Sequence, residues 1–213
     1  MHHLAVTTTE ASVEFLQKGG IFIWPLILCS IAGLTAIAFK FMSLGRSRIV
    51  PDNLARELET ISTEEAEPVA RKLRTGNSTL ARLGSVVLNH HGRPSAEITR
   101  AVEASAREEV VRMYSGIGVL DVVITVAPLL GLLGTASGLV TIFGGLGETN
   151  DNIAIARGIA EALNTTIFGL AIAVPCVIAH SYFTRRIERL TARMEAVLVD
   201  FAATCSGQPQ DPS

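Results

Sequence analysis

Three stretches of the chain are apolar and almost free of charge, and the segments around them are dense in charged residues. The first covers residues 19–39, the second 122–147 and the third 162–184, where the one ionisable side chain is His180 near the end. A helix of about 20 apolar residues rises ~30 Å, which matches the hydrocarbon thickness of a bilayer. The pattern therefore predicts three transmembrane helices.

The segment between the first two apolar stretches has helical periodicity as well. Ser78 suits the N-cap of a helix that carries Leu80, Leu83 and Val87, and a break follows at residues 92–95. From Ser95 the helical pattern enters the second span without a breaker, so one helix to about residue 143 is expected. No β pattern is visible. The predicted fold is all-α: a polytopic membrane protein with three transmembrane helices, and with long helices that extend into the cytoplasm.

The basic residues predict the orientation of these spans. Of the 18 Lys and Arg residues, one, Lys18, precedes the first span and one, Arg157, lies between the second and third. Basic residues concentrate on the cytoplasmic side, so the N-terminus is expected in the periplasm and the C-terminus in the cytoplasm. Lys40, at the end of span one, is expected to snorkel to the interface. The expected order is periplasmic segment 1–18, transmembrane helix 1 at 19–44, cytoplasmic helical region 45–113, transmembrane helix 2 at 114–146, periplasmic loop 147–152, transmembrane helix 3 at 153–184, and cytoplasmic C-terminal helix and tail 185–213.

Composition agrees with a membrane protein and argues against other classes. The chain has 213 residues, of which 48% are hydrophobic and 18% charged, whereas soluble domains carry about 25% charge. A net charge of −2 gives no sign of nucleic-acid binding. The three cysteines lack metal-ligand spacing, and His90 and His91 lack ligand partners at such spacing. We therefore expect no metal, no cofactor and no enzymatic activity.

Small residues form stripes along the second and third spans. Such stripes let helices approach closely in a membrane, where lipid supplies no hydrophobic driving force between them. The glycines predicted to serve helix packing are Gly131, Gly134, Gly138 and Gly169. Span one has fewer small residues and is expected to face lipid.

Hydroxyl groups and prolines interrupt these stripes. Thr135, Thr165 and Thr166 lie inside the long apolar stretches. They can serve packing alone by bonding their own helix, or they can line an ion pathway. Pro128 and Pro175 each free a carbonyl inside a span, so each is either a static kink or a hinge with a hydrated backbone.

The carboxylates lie only at the ends of the spans. Glu161 is at the outer end of span three, where it can belong to the ion pathway or simply reach outer water and pair with Arg157. Asp121 is at the inner end of span two, with Arg185 or Arg186 as a plausible partner. No carboxylate lies in the middle of a span, yet a proton path needs a titrating group there. Either the chain is not a proton channel or another chain supplies the proton carrier.

Two motifs carry a resemblance to a known family. Residues 127–138, APLLGLLGTASG, resemble the second-helix signature of the ExbB/TolQ/MotA proton channel family. Residues 158–175, GIAEALNTTIFGLAIAVP, resemble its third-helix signature, and 182–189 resemble the continuation. Three spans with the N-terminus outside resemble the ExbB/TolQ branch.

The resemblance implies a ring-forming homo-oligomer, a pentamer, around a central pore in the bacterial inner membrane. It implies an ExbD/TolR-like dimer whose single-span helices bring the proton-binding Asp into the pore, and a TonB/TolA-like protein as a further partner. Thr135 and Thr166 match the family's pore threonines and Glu161 its third-helix Glu; Thr165 lies one turn from Glu161. The expected function is the pore-forming subunit of a proton-driven motor. The alternative is a membrane scaffold that anchors partners without conducting ions.

Overall fold

The computed structural model describes residues 21–60, 66–145 and 152–206. The expected periplasmic segment 1–18, the first five residues of the loop 147–152 and the end of the C-terminal tail lie outside this part. All regular structure in the described ranges is α-helical, as the sequence predicts. In chain order the helices are α1 (Ile23–Ser43), α2 (Arg46–Ile49), α3 (Asp52–Glu59), α4 (Ala66–Thr75), α5 (Thr79–Asn89), α6 (Ser95–Tyr114), α7 (Ile117–Gly144) and α8 (Asn152–Cys205).

Three of these helices, α1, α7 and α8, are long and apolar enough to cross a membrane, in agreement with the three predicted spans. The chain divides into two compact units. The first takes the described residues up to Ala38 and those from Gly116 to Ser181, and the second takes Phe39–Ser115 and the residues from Tyr182 onward. The first unit therefore contains most of the apolar stretches.

The second unit is held by a conventional hydrophobic core. Leu80, Leu83 and Val87 of α5 are buried, and Ser78 accepts a hydrogen bond from the Ala81 backbone N–H at 3.2 Å as the N-cap of that helix. The chain turns after α5 with Gly92 at φ +80°, so the predicted break at residues 92–95 is present. The remaining core is contributed by α4, α6 and α8 through Leu73, Ile98, Ile187, Met194 and Phe201.

A charged cluster joins α5 to α6 within this unit. Arg82 donates to both carboxylate oxygens of Glu109, from Nε at 3.0 Å and from an Nη at 2.6 Å. The Glu109 side chain is only 10% exposed. The hydrogen bond with Glu109 raises the pKa of the Arg82 guanidinium further above its ordinary value. The two-point geometry fixes both the distance and the rotation between these helices.

The expectation of one uninterrupted helix from Ser95 into the second span is wrong. The chain leaves the helix after Tyr114 and resumes it at Ile117, with Gly116 at φ +84°. That left-handed conformation favours glycine because it lacks a Cβ. The backbone N–H of Ser115 closes α6 by bonding the carbonyls of Val111 and Arg112.

The expectation that Lys40 reaches the interface is also wrong, since the residue is only 2% exposed. Its Nζ donates to the Met113 carbonyl oxygen at 2.8 Å. Met113 lies in the last turn of α6, where carbonyls have no partner inside the helix and where the helix dipole attracts a cation. Lys40 therefore caps the C-terminus of α6.

Candidate functional site

The glycine stripes lie where α7 and α8 run antiparallel and touch. A Cβ on Gly131 would lie 3.0 Å from the Thr165 carbonyl oxygen and 3.0 Å from the Thr166 Cα. A Cβ on Gly169 would overlap the carbonyl oxygen of Ala127. At these points the backbones of the two helices pack directly on each other, and no side chain fits between them.

The same line of contact continues toward the C-terminal end of α7 and the N-terminal end of α8. A Cβ on Gly134 would lie 2.5 Å from Cγ2 of Thr165, and one on Gly138 would lie 2.9 Å from the Ala162 Cβ. We call the line from Gly138 and Ala162 down to Asp121 and His180 the α7–α8 seam. From one contact to the next, residue numbers rise along α7 while they fall along α8. At each contact a glycine of one helix meets a small residue or a threonine of the other, and these contacts fix the register of the two helices.

Two of the predicted pathway threonines meet in the middle of this seam. The hydroxyls of Thr135 and Thr166 hydrogen bond to each other. Thr135 Oγ1 also donates toward the Gly131 carbonyl at 3.2 Å and lies 3.1 Å from the Ala162 carbonyl. Thr166 Oγ1 lies 3.0 Å from the Gly131 carbonyl. The two hydroxyl groups have only two hydrogens to donate, but more than two acceptor oxygens lie within reach. The hydrogen bonds can therefore switch between alternative acceptors.

These two threonines differ in exposure. Thr135 is buried in the seam, whereas Thr166 is half-buried and remains reachable from one side. Thr165 is 3% exposed and turns its methyl against Gly134, so it fills the helix contact. Glu161 is half-buried one turn above Thr165. The structure therefore brings Thr135 and Thr166 together, and Thr165 lies beside them on the packed face.

The two span prolines take different positions relative to the seam. Pro128 lies seven residues before Thr135, about 20° away around the helix, and is half-buried. Pro175 lies nine residues after Thr166, about 180° around α8, and is exposed. A proline leaves the carbonyl four residues earlier without its helical partner. Only the carbonyl freed by Pro128, that of Ile124, lies on the side of the threonine pair.

The end of the seam near the N-terminus of α7 holds a pair that the sequence analysis missed. His180 Nε2 lies 3.0 Å from Asp121 Oδ1. The expected partners of Asp121 were Arg185 or Arg186, but the Arg186 guanidinium donates to the Leu44 carbonyl at 3.0 Å and to the Tyr182 hydroxyl. The usable signal was position, since Asp121 and His180 stand at the same end of two antiparallel spans.

Span one also packs more closely than its composition suggests. A Cβ on Gly33 would lie 2.8 Å from the Cys176 Sγ and 3.5 Å from Val123. Ile23 and Leu26 of α1 are buried as well, whereas other large side chains of this helix, among them Trp24, Leu28 and Leu34, are exposed. One face of α1 thus packs on the protein, and its exposed apolar side chains can meet lipid.

Within the described residues, no cluster of three or more His, Cys, Asp or Glu side chains could hold a metal ion. The seam itself has no carboxylate between Asp121 and residue 147 or between Glu161 and Glu188. Between the Asp121–His180 pair and Glu161, the polar groups of the seam are hydroxyls and backbone carbonyls, which can bind water or coordinate a passing ion but cannot carry a proton as an ionised side chain does.

Comparison with known proteins identifies relatives along most of the chain. The sequence profile of the MotA/TolQ/ExbB proton channel family matches residues 34–196. The putative biopolymer transport protein ExbB-like 1 of Synechocystis sp. is 32% identical over 96% of this chain and 80% of its own length. Biopolymer transport protein exbB1 of Vibrio cholerae is 28% identical over 89% of this chain and 86% of its own length. The Tol-Pal system protein TolQ of Pseudomonas aeruginosa is 33% identical over 50% of this chain and 47% of its own length.

Proposed function

Because the chain belongs to the MotA/TolQ/ExbB proton channel family, we propose that it is the pore-forming subunit of a proton-driven motor in the bacterial inner membrane. It acts as a homopentameric ring around a central pore. Proton flow through that pore drives energised transport or envelope work. The N-terminus is periplasmic and the C-terminus cytoplasmic.

The observation that carries this proposal is the hydroxyl pair of Thr135 and Thr166 in the stretch of the seam between Asp121 and Glu161, which holds no carboxylate. A helix pair built only for packing has no need of two hydroxyls that share acceptors in the middle of a membrane span. Thr166 stays half-exposed on one side of the seam, so a partner helix can reach it. Hydroxyls that exchange donors can bind either form of a carboxyl group, because they both donate and accept.

This chain has no carboxylate in the middle of a span, so its partner has to supply the group that carries the proton. We infer an ExbD/TolR-like dimer whose single-span helices occupy the pore and present a carboxylic acid to the threonine pair. Protonation removes the charge of that acid and changes which hydroxyl arrangement it prefers. A potential of 100 mV supplies about 2.3 kcal/mol for each charge moved across the membrane, which can drive a partner from one subunit to the next. A TonB/TolA-like protein would receive the movement.

The test uses the tagged full chain, co-purified with its single-span partner and reconstituted in proteoliposomes. Proton influx is driven by a potassium diffusion potential and followed with an enclosed pH dye. We expect Thr135→Ala and Thr166→Val to reduce the influx to the background of protein-free liposomes. Both complexes should still assemble, because interhelical hydrogen bonds in membranes contribute only about 0.6 kcal/mol on average.

Thr141→Val is the matched control. Thr141 lies on the same helix, is exposed, and bonds only the Ser137 carbonyl of its own helix at 3.1 Å. It should keep the full influx. Full influx in both Thr135→Ala and Thr166→Val would contradict the proposal, and an assembled wild-type complex without influx would favour the non-conducting scaffold.

A further inference from the structure

Asp121 and His180 form a polar pair, although an apolar pair could fill the same space between the helices. His180 Nε2 lies 3.0 Å from Asp121 Oδ1, and the Asp121 and His180 side chains are 61% and 29% exposed. Asp121 is the one charged residue of α7, and His180 is the one imidazole of α8. An imidazole that bonds a carboxylate through one ring nitrogen keeps the other nitrogen available to accept a proton.

This pair stands in register with the threonine pair. Asp121 precedes Thr135 by 14 residues on α7, and His180 follows Thr166 by 14 residues on α8. Because the helices are antiparallel, both steps lead toward the inner end. Fourteen residues correspond to about 21 Å along the axis and about 40° around it. The two pairs therefore lie along the same seam, separated by nearly four helical turns.

The stretch of the seam between the threonine pair and the Asp121–His180 pair holds few groups that bind a proton. On α7 no residue between Asp121 and Thr135 has an ionisable side chain; on α8 the thiol of Cys176 lies between, and it packs on Gly33. The carbonyl of Ile124, freed by Pro128, lies on the seam side and can bind water there. A proton that leaves the threonine pair inward thus meets water first and the Asp121–His180 pair next.

We propose that Asp121 and His180 form the inner proton-accepting pair of the pathway, an inference that rests on the proposed function. With Nε2 donating to Asp121, the neutral ring offers Nδ1 as acceptor, and among the described residues Nδ1 has no protein hydrogen-bond partner. The O–H bond of the partner's carboxylic acid breaks, and an N–H bond forms at Nδ1 through intervening water. The acid becomes a carboxylate, and Asp121 stabilises the imidazolium. The ring then releases that proton to cytoplasmic water and is neutral again.

Other titratable groups around His180 are few and already committed. On α7 the facing charge is Asp121 alone. On the part of α1 that belongs to the same unit, the one such group is the thiol of Cys29. On α8 itself the neighbours are Cys176, Tyr182, Arg185 and Arg186. Asp121 is thus the carboxylate that acts on the ring.

The test measures proton influx of the reconstituted complex, in vesicles with the periplasmic face outward, at a fixed potential and an inner pH between about 5.5 and 8. We expect influx of the unmodified complex to fall as the inner pH drops through the imidazole range, because a ring that stays protonated cannot accept. His180→Gln should lower influx at high inner pH and remove this step. Asp121→Asn should also lower influx, because the carboxylate that stabilises the protonated ring is lost.

His91→Gln, an exposed histidine of the other unit, is the matched control and should keep the unmodified profile. Asp121→Asn is isosteric, so its profile decides the matter if His180→Gln does not assemble. Unmodified pH profiles in both variants would overturn the inference. If Thr135→Ala and Thr166→Val stop influx while those profiles stay unmodified, only this inference fails; if both variants keep full influx, the proposed function fails.

Discussion

At the residue scale, polar side chains at the ends of the spans have found protein partners where sequence reasoning expected water or basic residues. Lys40 illustrates this, since a lysine at the end of an apolar helix ordinarily extends its ammonium group toward the interface. Here a helix C-terminus lies within reach, and the ammonium bonds the Met113 carbonyl instead. The unpaired carbonyls at the end of α6 could not be foreseen because the helix was expected to continue.

Replacing Lys40 should therefore destabilise the protein. In Lys40→Met the Met113 carbonyl loses its buried donor, which costs about 1–3 kcal/mol, while the burial of a charge is relieved and offsets part of that loss. We expect a lower midpoint of thermal unfolding in detergent. Lys72→Met is the control, because Lys72 pairs with Glu57 on the surface and its side chain is 57% exposed; such pairs contribute at most about 1 kcal/mol. Equal midpoints for the two variants would show that the cap contributes nothing.

At the element scale, the close contact between α7 and α8 depends on glycines, because these residues have no Cβ to keep the two backbones apart. Gly169 and Gly131 allow backbone to meet backbone, and this approach is what brings Thr135 within hydrogen-bond distance of Thr166. The packing of the elements thus sets the geometry of the hydroxyl pair. A change that separates the helices should remove the pair even with both threonines present.

The substitution Gly169→Ala tests the effect of separating α7 from α8. Its Cβ would overlap the Ala127 carbonyl, which belongs to the backbone and cannot rotate away. Overpacking of this kind costs about 1–3 kcal/mol, so we expect a lower thermal midpoint and a loss of proton influx. Gly118→Ala is the control, because a Cβ there meets nothing within 4 Å. An unchanged midpoint and influx in Gly169→Ala would mean that the helices do not need this approach.

The sequence predicted the elements better than their junctions. Long apolar runs have one physical solution in lipid, so the three spans and the all-α class could be derived from hydropathy and length. The break at Gly116 could not, because glycine is helical at Gly131 and left-handed at Gly116, and only tertiary contacts decide between the two. The motifs singled out Thr135 and Thr166, but the contact between their hydroxyls and the Asp121–His180 pair both required knowing which helices touch.

At the scale of the whole molecule, the two units have different surroundings to satisfy. The first exposes large apolar side chains such as Leu28, Leu132 and Ile178, while the second carries the ion pairs of Arg82 with Glu109 and of Arg193 with Asp52. Apolar exposure is stable in lipid, and dense charge is stable in water. This division is what a chain needs if one unit lies in the bilayer and the other on one side of it.

The proposed orientation makes that side the cytoplasm, and single cysteines can test it in a chain whose Cys29, Cys176 and Cys205 are replaced by serine. We expect a membrane-impermeant maleimide to label Thr8→Cys in intact spheroplasts, and Ala104→Cys and Ala192→Cys only in inverted vesicles. Ala104 and Ala192 are both exposed in the second unit, so a failure to react reports the membrane barrier and not burial in the protein. Labelling of Ala104→Cys in intact spheroplasts would reverse the orientation. It would then place Asp121 and His180 at the proton entrance, where the inner-pH profile should no longer respond to them.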